Sequence, residues 1–229
     1  MSRSACFVTG TDTGVGKTLV AAGLLQQAAQ RGLRTAALKP VAAGAQLVHG
    51  KLVNEDGVLL QRTSNSDQSY DEVNPVTLAA AIAPHIAAQQ ESSALSVEQL
   101  LRPCRTVMER EDVDFLVVEG AGGWLVPLND QETLADLASA LELPVVLVVG
   151  MKLGCLNHAL LTCQAIDAAG LELAGWVASC IDPQMLALQE NLDSLGERIS
   201  APCLGVIDYL TDPTPENAAR RLRAQSLLP

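Results

Sequence analysis

Gly10-Thr11-Asp12-Thr13-Gly14-Val15-Gly16-Lys17-Thr18 follows the apolar run Ala5-Cys6-Phe7-Val8 and precedes a helix-friendly one, Leu19 to Ala29. A buried strand, a glycine-rich turn and a helix start form the setting in which a phosphate-binding loop works. The glycines let the backbone curl so that several N–H groups point into one hollow. The first helical turn adds unpaired N–H groups and the positive end of its dipole. At this spacing Lys17 reaches the β- and γ-phosphates and the Thr18 hydroxyl holds Mg²⁺, so the stretch predicts a bound nucleoside triphosphate. One detail departs from the usual loop: five residues rather than four separate Gly10 from Gly16, and Thr11 stands where a strict match has glycine.

Outward from this loop, apolar strand-like runs alternate with helical segments. The runs are Ala5–Thr9, Arg34–Lys39, Phe115–Glu119, Val145–Gly150, Leu173–Cys180 and Cys203–Ile207. The helical segments are Thr18–Arg31, Ser96–Arg110, Thr133–Leu141, Leu156–Ala169, Pro183–Ile199 and Glu216–Arg223. Continuous rather than alternating apolar strands are buried on both faces. Residues 1–229 therefore read as one α/β P-loop domain, with a mostly parallel central sheet and helices on both faces. Ligands in such folds sit beyond the carboxyl ends of the strands. The segment from Val41 to Asn74 reads as the least regular, because His49-Gly50, Asn54-Glu55-Asp56-Gly57 and Ser64-Asn65-Ser66-Asp67 are turn signals.

The net charge of −11 argues against a nucleic-acid groove, which needs clustered Lys and Arg. No basic leader is visible, and the longest apolar run, Pro144 to Val149, is too short to cross a bilayer. The expectation is a cytoplasmic protein. None of the six cysteines forms a Cys-x-x-Cys pair, so they read as buried free thiols.

Glu119 ends a strand and is followed by Gly120-Ala121-Gly122-Gly123. A carboxylate there, beside a phosphate loop, is a natural Mg²⁺ partner, and the glycines let the backbone approach a ligand. Lys39 closes the second strand, expected to lie near the first, where its ammonium could meet the same phosphates. Asp56, by spacing alone, is first a turn residue. At Lys152-Leu153-Gly154-Cys155-Leu156-Asn157-His158 another strand-to-helix junction offers a second anion seat.

These residues resemble the dethiobiotin synthetase family. The resemblance rests on GTDTGVGKT at 10–18, Leu38-Lys39-Pro40-Val41-Ala42, Asn74-Pro75, Pro84-His85, Val118 to Trp124, Val149 to His158, Gly175-Trp176-Val177-Ala178 and Pro215-Glu216-Asn217-Ala218. It covers nearly the whole chain in family order, and the longer phosphate loop is a family trait. It implies ATP-dependent ring closure of 7,8-diaminopelargonate with CO₂ in biotin synthesis. One amine takes up CO₂ as a carbamate, the carbamate attacks the γ-phosphate, and the second amine displaces phosphate from the mixed anhydride.

The resemblance also implies roles by position. Lys17 and Lys39 contact phosphate and carbamate, and Thr11 contacts the substrate amines. Thr18, Asp56 and Glu119 hold Mg²⁺. Gly14, Val15, Gly16 and Leu19, with Gly120, Ala121 and Gly122, complete the nucleotide site. Ser179, Cys180, Ile207, Asp208, Tyr209 and Glu216 lie toward the base. Ala43 stands at a substrate position. Family members are homodimers, and Gly154, Cys155 and Asn157 hold the substrate carboxylate from the opposite subunit. Three departures are visible: Ala43 replaces a common Ser, Gly14 a common Glu, and Ser179 an Asn that reads adenine. Ile207-Asp208-Tyr209 also replaces a Pro-containing loop. Ser offers one hydroxyl where Asn offers a donor and an acceptor, which predicts relaxed base selectivity. Replacing Lys39 is expected to stop turnover and leave the fold intact. The alternative is an ATPase switch of the partitioning type. Those proteins carry an early loop lysine, where this chain has Thr11-Asp12-Thr13.

Overall fold

A computed structural model describes residues 4–229. In chain order the elements are β1 (Ser4–Gly10), α1 (Lys17–Ala29), β2 (Thr35–Leu38), β3 (Val41–Ala43), β4 (Gln46–Val48), β5 (Lys51–Val53), α2 (Glu55–Thr63), α3 (Tyr70–Val73), β6 (Val76–Leu78) and α4 (Pro84–Gln90). There follow α5 (Val97–Met108), β7 (Phe115–Glu119), α6 (Leu134–Leu141), β8 (Val145–Gly150), α7 (Cys155–Ala168), β9 (Leu173–Ser179), α8 (Leu188–Arg198), β10 (Cys203–Ile207) and α9 (Pro215–Ala219).

Six strands form one sheet in the order β10-β9-β8-β1-β7-β2, and every pairing in it is parallel. Side chains alternate across the pleat, so each strand feeds two cores. Cys6 and Val8 of β1, with Phe115 and Val117 of β7, pack against α1, α2 and α9. Phe7, Leu116 and Val118 point the other way, against α5 and α6. Leu147 and Val149 of β8 meet Trp176, α7 and α8. Both faces are dry, which is why these strands read as unbroken apolar runs.

The structure refines the sequence reading in two places. β2, which ends one residue before Lys39, lies near β1 as expected but not beside it: β7 comes between them and β2 forms the sheet edge. The segment from Val41 to Asn74 is not irregular. It holds β3, which pairs in parallel with β6 just beyond the segment, the antiparallel hairpin β4–β5 and two helices. Asn54-Glu55-Asp56 is the start of α2, where the Asn54 side chain accepts from the Asp56 N–H at 3.0 Å. Gly57 lies inside that helix, at a position where a Cβ would lie a tight 3.1 Å from Asn74 and Tyr70. The six cysteines are unpaired: Cys6, Cys104, Cys155 and Cys180 are buried, Cys163 is half-buried, and Cys203 is exposed, unlike the expectation of burial throughout. Among the described residues no helix is long and apolar enough to cross a membrane.

Candidate active site

All the phosphate-loop geometry follows from β1 ending at Gly10 and α1 starting at Lys17. Gly14 and Gly16 adopt φ of 73° and 87°, a left-handed conformation that a side chain disfavours. Gly16 caps α1 and no side chain caps its first amides, which leaves those N–H groups for an anion. Val15 is fully buried and acts as a wedge. A Cβ at Gly10 or at Gly150 would lie 2.6 Å from its methyls, so both neighbouring strand ends need glycine.

Lys17, Thr18, Lys39, Ala43, Asp56, Glu119, Ala121 and Gly122 converge on one cleft of about 730 Å³. The Lys39 ammonium, on a side chain 3% exposed, lies 2.5 Å from Glu119 Oε1 and 3.0 Å from Asp56 Oδ2. It also donates to the Gly120 carbonyl at 3.2 Å. Thr18 Oγ1 donates to Glu119 Oε1 at 2.9 Å. The Lys39 backbone is fixed in turn: its carbonyl accepts from Asn74 Nδ2 at 2.7 Å, and its N–H donates to Val73 O.

Burial opposes every charge here. It pulls the Lys39 ammonium down, but Glu119 and Asp56 more than reverse that, so Lys39 stays charged. It lifts the Glu119 carboxyl above its usual range, with Lys39 pulling the other way and Asp56 adding to the rise. Asp56, more open, is lifted by burial but carried below its usual range by Lys39 and the Thr18 hydroxyl. Lys17 is pushed down to about 8 by burial, against the pull of Glu119. Its ammonium donates to the Asp12 carbonyl at 3.0 Å.

Glu119 Oε2 is buried and has no hydrogen-bond partner. A buried carboxylate oxygen without a donor is costly unless a cation completes it. With Thr18 Oγ1 and Asp56 alongside, the donor set is hard oxygen only, which suits Mg²⁺.

A second hollow, about 270 Å³, lies on the other side of the loop. Gly14, Gly16, Leu19, Ser179, Cys180, Ile207, Asp208 and Tyr209 line it, with Pro213 of the loop ahead of α9. Ser179 packs so closely that a Cβ on Gly16 would lie 2.8 Å from its Oγ. Asp208 accepts from Arg221 Nε at 3.0 Å. Glu216 is exposed in the first turn of α9 and does not line this hollow.

The structure separates the two loop threonines. Thr11 Oγ1 accepts from the Gly150 N–H at 3.2 Å and so ties β1 to β8. Thr13 lines the cleft, and Thr11 does not. The sequence reading missed Thr13 because strand register alone does not say which loop side chain faces inward. Asn74 and Lys152 enter the sequence reading only as members of motifs, because their contacts with Lys39 and Asp12 join residues distant in sequence. Gly154, Cys155 and Asn157 stand at the start of α7, outside the cleft of their own chain. Gly154 has φ of 95°, and Leu153 beside it is 97% exposed.

A family model described as an AAA domain matches residues 4–217. The ATP-dependent dethiobiotin synthetase BioD of Cellvibrio japonicus is 55% identical over 100% of this chain and 99% of its own length. The protein of the same name from Pseudomonas aeruginosa is 50% identical over 97% of each chain. Among solved structures, the MinD cell division protein of Aquifex aeolicus aligns with TM-score 0.55 and 13% identity, over 96% of this chain and 88% of that one. That likeness shows the fold alone and nothing about activity. The full-length matches, joined to a nucleotide loop and the acid–lysine cluster behind it, place the chain in the ATP-dependent dethiobiotin synthetase family, enzymes of dethiobiotin formation in biotin biosynthesis.

Proposed function

We propose that this cleft joins CO₂ to 7,8-diaminopelargonate and closes the ring to dethiobiotin at the expense of ATP, with Mg²⁺ bound by Thr18, Asp56 and Glu119. The observation that carries this is the convergence of Lys17, Lys39, Thr18, Asp56 and Glu119 on one cleft, with a Glu119 oxygen left without a partner. When bound, the metal supplies positive charge at the phosphate oxygens. A carbamate is a poor electrophile until its oxygen carries phosphate, so the chain must bring two anions together. Lys17 and the free amides of α1 hold the phosphates. Lys39 stays charged on the cleft floor, where it neutralises the carbamate and the charge that gathers on the transferring phosphoryl group. We assign the diamine contact to Thr13, which lines the cleft, rather than to Thr11, whose hydroxyl is engaged by Gly150; the lining supports this choice. Ala43 lines the cleft without a hydroxyl of its own, and its carbonyl accepts from Asn54 Nδ2 at 3.1 Å.

The second half of the reading is a cytoplasmic homodimer. Leu153, Leu161 and Leu186 are largely exposed around α7 and α8. Covering them with a second copy would bring Gly154, Cys155 and Asn157 to the partner's cleft, where the α7 amides meet the substrate carboxylate. The test is phosphate release with ATP, Mg²⁺, bicarbonate and diamine, with mass detection of the cyclic urea. Release that needs both bicarbonate and diamine is expected. Slow release indifferent to the diamine would sink the reading and favour the switch-type ATPase.

A further inference from the structure

The ends of β1 and β8 are joined more tightly than two neighbouring strands require. Beyond the ladder, the Thr11 N–H donates to Val148 O at 3.0 Å and the Gly150 N–H donates to Thr11 Oγ1. Val15 fills the space between Gly10 and Gly150. A charged contact closes this seam: Lys152 Nζ lies 3.0 Å from Asp12 Oδ2. Asp12 serves three donors at once. Its other oxygen accepts from the Thr13 N–H at 2.7 Å, and its backbone carbonyl accepts from Lys17 Nζ. The loop turns here between Thr11, which faces β8, and Thr13, which faces the cleft.

We propose that Lys152 is a positioning residue for the phosphate loop, clamping the Asp12 carboxylate from the next strand end and so fixing the carbonyl that carries the Lys17 ammonium. The inference rests on the nucleotide site proposed above. Lys152 touches no part of that cleft, so it acts only through Asp12. Lys17 is buried and its ammonium has that one acceptor among the described residues, so the orientation of one peptide decides where its charge points. Lys152 is 38% exposed and Asp12 48%, a geometry in which an ion pair is modest by itself. The expected effect is correspondingly modest and specific.

Calorimetric titration of the whole protein with ADP and Mg²⁺ tests this without relying on turnover. Lys152→Met is expected to weaken ADP binding about fivefold, and Lys152→Arg to restore most of it. Asp12→Asn, which keeps an acceptor for the Thr13 N–H, should weaken binding by a similar factor. The double variant should be no worse than either single one, because the two side chains act as a pair. In turnover, Lys152→Met should raise the KM for ATP more than it lowers kcat. Unchanged ADP affinity in Lys152→Met, or losses that multiply in the double variant, would overturn the proposal. So would a raised KM for the diamine with ADP affinity intact, which would assign Lys152 to substrate. If the wild-type protein failed to bind ADP, the nucleotide site itself would fall, and the inference with it.

Discussion

Lys39→Met should cost both stability and turnover, and the two losses should separate in a second variant. Glu119 is 0% exposed and Lys39 3%, so their ion pair is of the buried kind. Removing one partner of such a pair costs about 3–5 kcal/mol, because the other charge stays buried and unpaired. Glu119 can escape by taking a proton. At pH 7.5 that costs an ordinary carboxyl about 4 kcal/mol, and less for one already lifted by burial. Both routes predict a loss of a few kcal/mol in urea unfolding. The pH dependence follows from Glu119. Its folded pKa lies above its unfolded value, so its contribution is fully present in acid and lost as pH rises through the folded value. The deficit of Lys39→Met should therefore shrink between pH 7.5 and pH 5. Lys39→Met with Glu119→Gln removes both buried charges and should recover most of the stability. Phosphate release should stay down by about 10²–10³ in both variants, the usual scale for losing a donor to transition-state charge. Asp56 loses Lys39 in both variants, so its contribution is common to the two and drops out of their difference. A single variant within about 1 kcal/mol of wild type and flat in pH would refute the buried pair, since the penalty for an unpaired buried charge would be missing.

Two further outcomes are expected. Burial lowers Lys17 to about 8, so the nucleotide-free protein loses this charge as pH rises through that value. A bound polyphosphate holds the proton on, so nucleotide binding near pH 8 should take up a proton and weaken toward pH 9. Calorimetry in buffers of different ionisation enthalpy checks this, and buffer-independent heats would refute it. In the second hollow, Ser179 packs on Gly16 and Asp208 is engaged by Arg221, which leaves few side-chain groups to read a base. The kcat/KM values for ATP, GTP and CTP should fall within about tenfold of one another, the range a pocket without matched hydrogen bonds enforces; a strict preference for ATP would show that backbone groups do the reading.

Much of the site was legible because its pieces are local. Gly14, Gly16, Lys17 and Thr18 lie in one loop, and Glu119 ends a strand whose bounds the sequence marks at both ends. Asp56 was harder. Its Asp-Gly pair looks like a turn, and only the contacts of Asn54 and Asn74 make it the first turn of a helix pointed at Lys39. Thr11 and Thr13 were indistinguishable until Gly150 claimed one of them. The stability loss expected on replacing Lys39 likewise rests on contact information, since its burial against Glu119 is invisible in one dimension.

By itself, then, the sequence determined the alternation of dry strands and helices, the phosphate loop and the family to which these motifs belong. Hydrophobic continuity and glycine spacing are properties of neighbours along the chain, and they act before any long-range contact forms. The tertiary structure decided the rest. It put β7 between β1 and β2, which sets Glu119 between Lys39 and Thr18. It brought Lys152 to Asp12 across 140 residues. Strand order and side-chain direction are settled by which packing buries the most apolar surface with every buried polar group paired, and that is a property of the whole chain.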